Sequence, residues 1–237
     1  APDLKAGDIN EVRRLIEKYE MPVLGYTPEH NAYPYNYMIG SEAQRRDAVD
    51  YLKLSLEMAK EMGAEFVLTS PANGGYLATY DQLWSRLEKN IQELGDYAAK
   101  LEIKLVVEAL TPYESNFFTR ANDLVELFRR VDNPYVVGMC DIVPPFVQHE
   151  SIMAYFDKLG NKMDHMHIID GENGSDTHLI PGEGNIPIKE MLYEMKRIGY
   201  DKTATLELVT NYINEPRFYA KRAIDNMREL MAEAGIV

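Results

Sequence analysis

Short apolar runs alternate with amphipathic segments along this chain of 237 residues, and that alternation limits the possible folds more than any other feature. The runs are rich in Val, Ile and Leu, which is typical of strands buried on both faces of a sheet. They occupy residues 22–27, 65–70, 103–108, 135–141, 163–170 and 203–209. Because parallel strands require helical crossovers, the pattern predicts repeated βα units.

The segments between the runs carry apolar residues three or four positions apart, as amphipathic helices do. This spacing predicts helices over residues 9–19, 41–62, 80–100, 119–131, 150–159 and 188–198, and from 216 onward. Ser41 and Thr119 are expected to cap two helices, and Gly63 and Gly199 to end two. The first helix is expected to bury one apolar face, formed by Ile9, Val12, Leu15 and Ile16.

The expected loop positions that follow the strands lie 26 to 43 residues apart, close to the roughly 31 residues per unit of a (β/α)₈ barrel. They are Thr27, Ser70, Glu108, Asp141, His167 and Glu207. A doubly wound nucleotide-binding sheet would carry a glycine-rich turn of fixed spacing after a strand, and Gly74-Gly75 lacks that spacing. No linker interrupts the alternation. We therefore predict an α/β fold, a TIM (β/α)₈ barrel, as a single domain over residues 1–237.

Composition excludes several classes of function. The net charge of −13 argues against a nucleic-acid partner, because phosphate binding needs a basic face. No apolar stretch approaches the roughly 18 residues of a membrane span. The single cysteine, Cys140, cannot form an internal disulfide and suits a reducing cytosol. We expect a cytoplasmic protein with a small-molecule ligand.

Four successive apolar runs each carry, at or near their C-terminal end, a residue type that binds metals. These residues are Glu108, Asp141, His167 and Glu207. Such groups are costly to bury unless they are paired or bind a metal. Each one alone could be a strand-end salt bridge or a helix cap, but four in succession favour one metal site. The mixed oxygen and nitrogen set suits Mn²⁺, Mg²⁺ or Co²⁺ and admits Zn²⁺.

Two long loops hold further polar residues that could lie near the predicted metal site. Asp176 and His178, in loop 171–187, are candidate additional ligands or substrate contacts, or they form only a local turn. Tyr33 lies in loop 28–40, which is rich in Tyr and Asn. That composition suits a sugar-like ligand, and a self-packed surface loop is the alternative. His30 and His149 are expected on the surface.

With these strand-end and loop residues, the chain resembles the fructoselysine and ketose 3-epimerase family of xylose-isomerase-like barrels. The resemblance extends over essentially the whole chain. Its most specific segments are Gly25-Tyr-Thr-Pro-Glu29, Tyr33-Pro-Tyr-Asn36, Leu110-Thr-Pro-Tyr-Glu-Ser-Asn116, Ser175-Asp-Thr-His178, Ile180-Pro-Gly-Glu-Gly184 and Glu207-Leu-Val-Thr210. Relative to the family, about 40 N-terminal residues, supplying two strands and a helix, are expected to be absent from this chain.

The resemblance implies roles for individual residues. The family's metal ligands fall here on Glu108, Asp141, His167 and Glu207, and a further Glu near the substrate falls on Glu114. The resemblance further implies a divalent metal, with Mn²⁺ expected and Mg²⁺, Co²⁺, Ni²⁺ or Zn²⁺ as alternatives. It also implies a sugar or sugar-amine substrate and a homo-oligomer. Glu108 and Glu207 would act as acid and base on opposite sides of the sugar.

Two positions depart from the ketose 3-epimerase pattern. Pro144 replaces a substrate-binding His, and Asn173 replaces an Arg that would contact the sugar. These changes disfavour simple ketohexoses and leave an N-substituted ketosamine as the expected substrate. An aldose–ketose isomerase, a polyol dehydratase and a non-catalytic sugar-binding barrel remain alternatives. A three-metal endonuclease of the same superfamily would need more than the five histidines present.

Overall fold

Six parallel strands form one sheet in which each strand pairs with its neighbours along the chain. A computed structural model describes residues 9–32, 34–172 and 174–236. The strands are β1 Gly25–Tyr26, β2 Phe66–Thr69, β3 Lys104–Val107, β4 Val136–Asp141, β5 Met163–Ile168 and β6 Thr203–Leu206. All six lie within the predicted apolar runs.

Helices connect the strands, as parallel pairing requires. They are α1 Ile9–Tyr19, α2 Glu42–Glu61, α3 Tyr80–Leu101, α4 Ala121–Arg130, α5 Val143–Val147, α6 Met153–Leu159, α7 Ile188–Ile198 and α8 Pro216–Glu233, with 3₁₀ turns at Gly160–Lys162 and Thr210–Tyr212. Helix α5, which contains Pro144 and Pro145, was not predicted from the sequence. Both prolines lie in its first turn, where a missing N–H costs little. Among the described residues no helix is long and apolar enough to cross a membrane.

Local capping explains where several helices begin and end. The Ser41 hydroxyl accepts the Gln44 N–H, and the Gln44 side chain accepts the Ser41 N–H, as a capping box. Gly199 ends α7 in the left-handed conformation. The predicted Thr119 cap is wrong. The Asp123 carboxylate instead accepts the N–H groups of Thr119 and Arg120, at 2.8 and 2.9 Å.

The two faces of the sheet have different neighbours. Residues such as Val107 and Met166 pack with the surrounding helices in the large core. A smaller cluster, centred on Phe66, Val106 and Met139, lies on the other face, without helical residues. Side chains alternate along a strand. Glu108 and Asp141, two positions after Val106 and Met139, therefore face the same side of the sheet as this smaller cluster, which we call the inner face.

The predicted burial of the α1 apolar face is wrong within the described residues. None of its residues is fully buried, and Leu15 is 39% exposed. The helix leads into β1, an edge strand of the six described strands. An ion pair between Arg13 and Glu61 joins it to the end of α2.

Candidate active site

The carboxyl ends of β3 to β6 bring four polar side chains to the inner face. Glu108 directly follows β3, Asp141 ends β4, His167 lies near the end of β5, and Glu207 directly follows β6. Asp141 is in register with His167, which is in turn in register with Thr205. The parallel register therefore places residues far apart in sequence at one level of the sheet.

His167 lies at the centre of this group. Its Nδ1 atom is 3.3 Å from Oε1 of Glu108 and 3.3 Å from Oε2 of Glu207. Ligand atoms of Glu108, Asp141 and His167 all lie within 4.8 Å of one another. The side chains of Glu108 and Asp141 are buried together with that of His167. The four side chains identified in the sequence thus share one location.

His178 joins the group from loop 171–187. Its Nε2 atom is 3.3 Å from Oε2 of Glu207 and 3.8 Å from Oδ2 of Asp141. Ligand atoms of these three residues also lie within 4.8 Å of one another. The sequence left open whether His178 contacts the site or forms only a local turn. The structure places His178 inside the cluster.

Glu114 and Asp176 lie beside the cluster and meet at Thr111. The Thr111 hydroxyl is 2.9 Å from Oε2 of Glu114 and 3.1 Å from Oδ2 of Asp176. Oδ1 of Asp176 is 3.9 Å from Nδ1 of His178. Asp176, from loop 171–187, and Glu114 therefore lie together on one side of the site. Tyr33 and Asn173 lie outside the described residues.

A buried carboxylate that the sequence did not single out holds that loop. Asp170 is 1% exposed. Its Oδ1 accepts the N–H groups of Gly171 and Ile186, each at 2.9 Å, and its Oδ2 accepts that of Gly182 at 2.9 Å. A Cβ at Gly184 would lie 2.4 Å from the same carboxylate. The sequence signal that could have identified Asp170 is a carboxylate at the end of an apolar run, directly before a loop rich in Gly.

A cavity of about 260 Å³ lies over the cluster. Its walls include the five clustered residues, Glu114, Ser70 and residues 27–31. His30 belongs to this wall and is 2% exposed, so its predicted surface position is wrong. The Ser70 N–H donates to Nε2 of His30 at 2.8 Å, and Nδ1 lies 2.6 Å from the Pro28 carbonyl. A neutral imidazole with both nitrogens bonded can be buried.

Burial and close charges shift the titration of the cluster. Burial raises the pKa of Glu108, and it raises the pKa of Asp141 to about 6. Burial by itself would lower the pKa of His167, but the adjacent Glu108 and Glu207 carboxylates raise it well above its usual value. Burial would raise the pKa of Glu207, but the imidazoles of His167 and His178 lower it.

The donor set fits a divalent cation. Three carboxylates and an imidazole converge here. Glu108, Asp141 and His167 are buried and the Glu207 side chain is 34% exposed, and buried charges need a counter-charge. Nδ1 of His167 is buried and has no hydrogen-bond partner among the described residues, although two carboxylate oxygens lie 3.3 Å away. Carboxylate and imidazole ligands without thiolate are those that Mn²⁺ and related ions accept.

A metal-type cluster at the carboxyl ends of parallel strands is the arrangement of a TIM-barrel enzyme site. The chain matches the family of xylose isomerase-like TIM barrels over residues 1–230, and it belongs to that family. It is 48% identical over 233 residues to the fructoselysine 3-epimerase of Shigella flexneri, covering 98% of this chain and 84% of that protein. The corresponding protein of Escherichia coli O157:H7 is also 48% identical, with coverages of 98% and 85%.

Solved structures agree on the fold. A D-tagatose 3-epimerase-like protein superposes with a TM-score of 0.79 at 21% identity, covering 96% of this chain and 84% of that one. The predicted α/β barrel class and the family resemblance are therefore confirmed. Since the relatives at 48% identity are epimerases, the chain is an enzyme of the isomerase class.

Proposed function

We propose that this enzyme is a divalent-metal-dependent epimerase that inverts C3 of a ketosamine of the fructoselysine type. The observation that carries the proposal is the convergence of Glu108, Asp141, His167 and Glu207 in one small cavity. The 48% identity to fructoselysine 3-epimerase supports the choice of substrate.

Glu108, Asp141, His167 and Glu207 would hold the cation. When bound, it acts as a Lewis acid that stabilises negative charge developing on the sugar oxygens. Mn²⁺ is the ion we expect, with Mg²⁺, Co²⁺, Ni²⁺ or Zn²⁺ as alternatives. Asp141 and His167 serve mainly as anchors, because both lie within paired strands, where Asp141 is in register with His167 and His167 with Thr205.

Glu108 and Glu207 transfer the proton. They directly follow β3 and β6, and each has an oxygen 3.3 Å from Nδ1 of His167. We propose that they flank the substrate from two sides. One carboxylate removes the proton at C3, and the C–H electron pair moves toward the C2 carbonyl to give an enediolate. The other group, which starts as the carboxylic acid, gives its proton to C3 on the opposite face, which inverts that carbon.

The rim of the cavity would contact the substrate. Glu114 and His178 offer polar groups there, and Asp176, which lies beside them, and Tyr33, from loop 28–40, are proposed as further contacts. Pro144 is buried in α5 and offers a sugar no side-chain donor. This favours a ketosamine over a simple ketohexose, because the histidine that ketose 3-epimerases place there is missing.

We infer that residues 1–237 act as one barrel domain, in the cytoplasm and as a homo-oligomer, on a small molecule. All six described strands belong to one sheet, which supports the single domain. Cys140 is free and buried, which suits a reducing compartment.

The proposal is tested by a deuterium-exchange screen in D₂O. Protein treated with a chelator and then reloaded with Mn²⁺ is incubated with fructoselysine, fructose and psicose, and exchange is followed by NMR. We expect exchange at C3 of fructoselysine that disappears without metal. Exchange at C1 would indicate an aldose–ketose isomerase instead, and no exchange with any sugar would indicate a binding protein.

A further inference from the structure

A second groove lies between α2 and α3, outside the catalytic cavity. It has a volume of about 280 Å³. Four cationic side chains line it, and Glu42 is the one acidic residue of its lining. The cationic residues are Arg45, Arg46, Arg86 and Lys89. In a chain of net charge −13, this is a local reversal of charge.

One of the four cations is neutralised within the protein. Arg46 contacts Oε2 of Glu93 at 2.7 Å and Oδ1 of Asp50 at 2.9 Å. Its Nε atom is nevertheless buried without a hydrogen-bond partner among the described residues. Arg46 therefore brings no free charge to the groove.

The other three cations form no ion pair within the described part of the chain. Arg45 donates to the Gly40 carbonyl, and Arg86 donates to the Met38 carbonyl at 2.9 Å. A carbonyl oxygen satisfies a donor but does not neutralise a charge. Lys89 is exposed at the rim of the groove. Glu42 alone cannot balance these three charges.

Arg45 and Arg86 are close enough to repel each other. Burial first, and the charge of Arg45 second, lower the pKa of Arg86. Like charges held together cost free energy that an anion between them would recover. The first turn of α2, at Glu42 and Ala43, also lines the groove, and a helix N-terminus adds positive potential.

We propose that this groove binds the phosphate group of a small molecule. The Arg45 and Arg86 guanidinium groups hold its oxygens, since their forked donors match phosphate geometry, and Lys89 adds a point charge at the rim. Three cations without an ion pair among the described residues match a phosphate dianion better than they match a singly charged carboxylate. The source is either inorganic phosphate or a sugar phosphomonoester, both of which carry the same group.

Calorimetric titration of the metal-loaded enzyme with inorganic phosphate, at constant ionic strength, tests the site. Loss of one charge-assisted contact should weaken binding about tenfold or more in Lys89→Gln and in Arg45→Gln. The matched control is Lys60→Gln, which removes the same charge from the far end of α2 and should bind as the wild type does. A parallel titration with glucose 6-phosphate distinguishes the two sources by which ligand binds more tightly.

Lys89→Gln is the decisive variant because Lys89 is exposed and its loss leaves the packing of α3 intact. Near-ultraviolet circular dichroism verifies the fold of each variant. Undetectable binding of both probes to the wild type would overturn the proposal. Equal affinities in the wild type and Lys89→Gln, or an equal loss in Lys60→Gln, would overturn it too.

Discussion

Nε2 of His178 lies 3.3 Å from Oε2 of Glu207, although His178 belongs to loop 171–187 and Glu207 follows β6. The same nitrogen is 3.8 Å from Oδ2 of Asp141. His178 therefore contacts two of the proposed metal-binding carboxylates at once. Groups that orient ligating carboxylates in this way affect metal affinity strongly.

Replacing His178 by Gln should weaken Mn²⁺ binding by about 10–100-fold, because the two carboxylates lose a shared partner. Mn²⁺ titration followed by electron paramagnetic resonance measures the dissociation constant. His149→Gln changes an exposed histidine and serves as the matched control. An unchanged Mn²⁺ affinity in His178→Gln would contradict this role.

Glu207→Gln should abolish proton exchange at C3 while the fold is retained. The amide keeps the shape of the side chain but cannot accept the proton, and loss of a general base costs about 10²–10⁴-fold in rate. Solvent deuterium at C3 of fructoselysine is measured by NMR, with metal content determined in the same sample. Glu190→Gln, on the exposed side of α7, is the control. Wild-type exchange in Glu207→Gln would rule out the proton-transfer role.

Asp170→Ala should release loop 171–187 and reduce activity. Three backbone N–H groups lose their acceptor, so we expect a loss of about 2–4 kcal/mol in the free energy of unfolding. Denaturant unfolding measures that loss, and limited proteolysis reports cleavage within the loop. Asp201→Ala, whose side chain is 81% exposed, should change neither. An uncleaved loop in Asp170→Ala would show that other contacts hold it.

His30 should make stability depend on pH. Burial lowers the pKa of His30 below the value of 6.5 expected in the unfolded chain. Its stabilising contribution is therefore complete above pH 6.5 and is lost as the pH falls through the folded pKa, by up to about 1.4 kcal/mol per pH unit. Urea unfolding of wild type and His30→Gln between pH 7.5 and 5 checks this. Parallel pH profiles for the two proteins would disprove it.

Features that depend on neighbours in the sequence were predictable. The Ser41 cap of α2 and the Gly199 end of α7 follow from side chains that act within a few residues. The Thr119 cap failed because Asp123, one turn into α4, offers the Thr119 and Arg120 N–H groups a charged acceptor. Competition between two nearby acceptors is decided by geometry that residue types do not specify.

Burial was harder to predict than the type of element. The periodicity located α1 at Ile9–Tyr19 correctly, but not how much of its apolar face other elements cover. His30 gave the opposite error. The imidazole is buried because Pro28 and Ser70 supply partners for both ring nitrogens, and Ser70 lies 40 residues away in the sequence.

The amino-acid sequence by itself determined the parallel strands and the end at which their polar residues lie. Strand order and two-residue alternation place Glu108, Asp141 and His167 on one face at one level of the sheet, without detailed packing. Only the tertiary structure decided that His178 completes the cluster and that Asp170 holds its loop. Those contacts depend on the path of a 17-residue loop, which is set by long-range hydrogen bonds that no local pattern encodes.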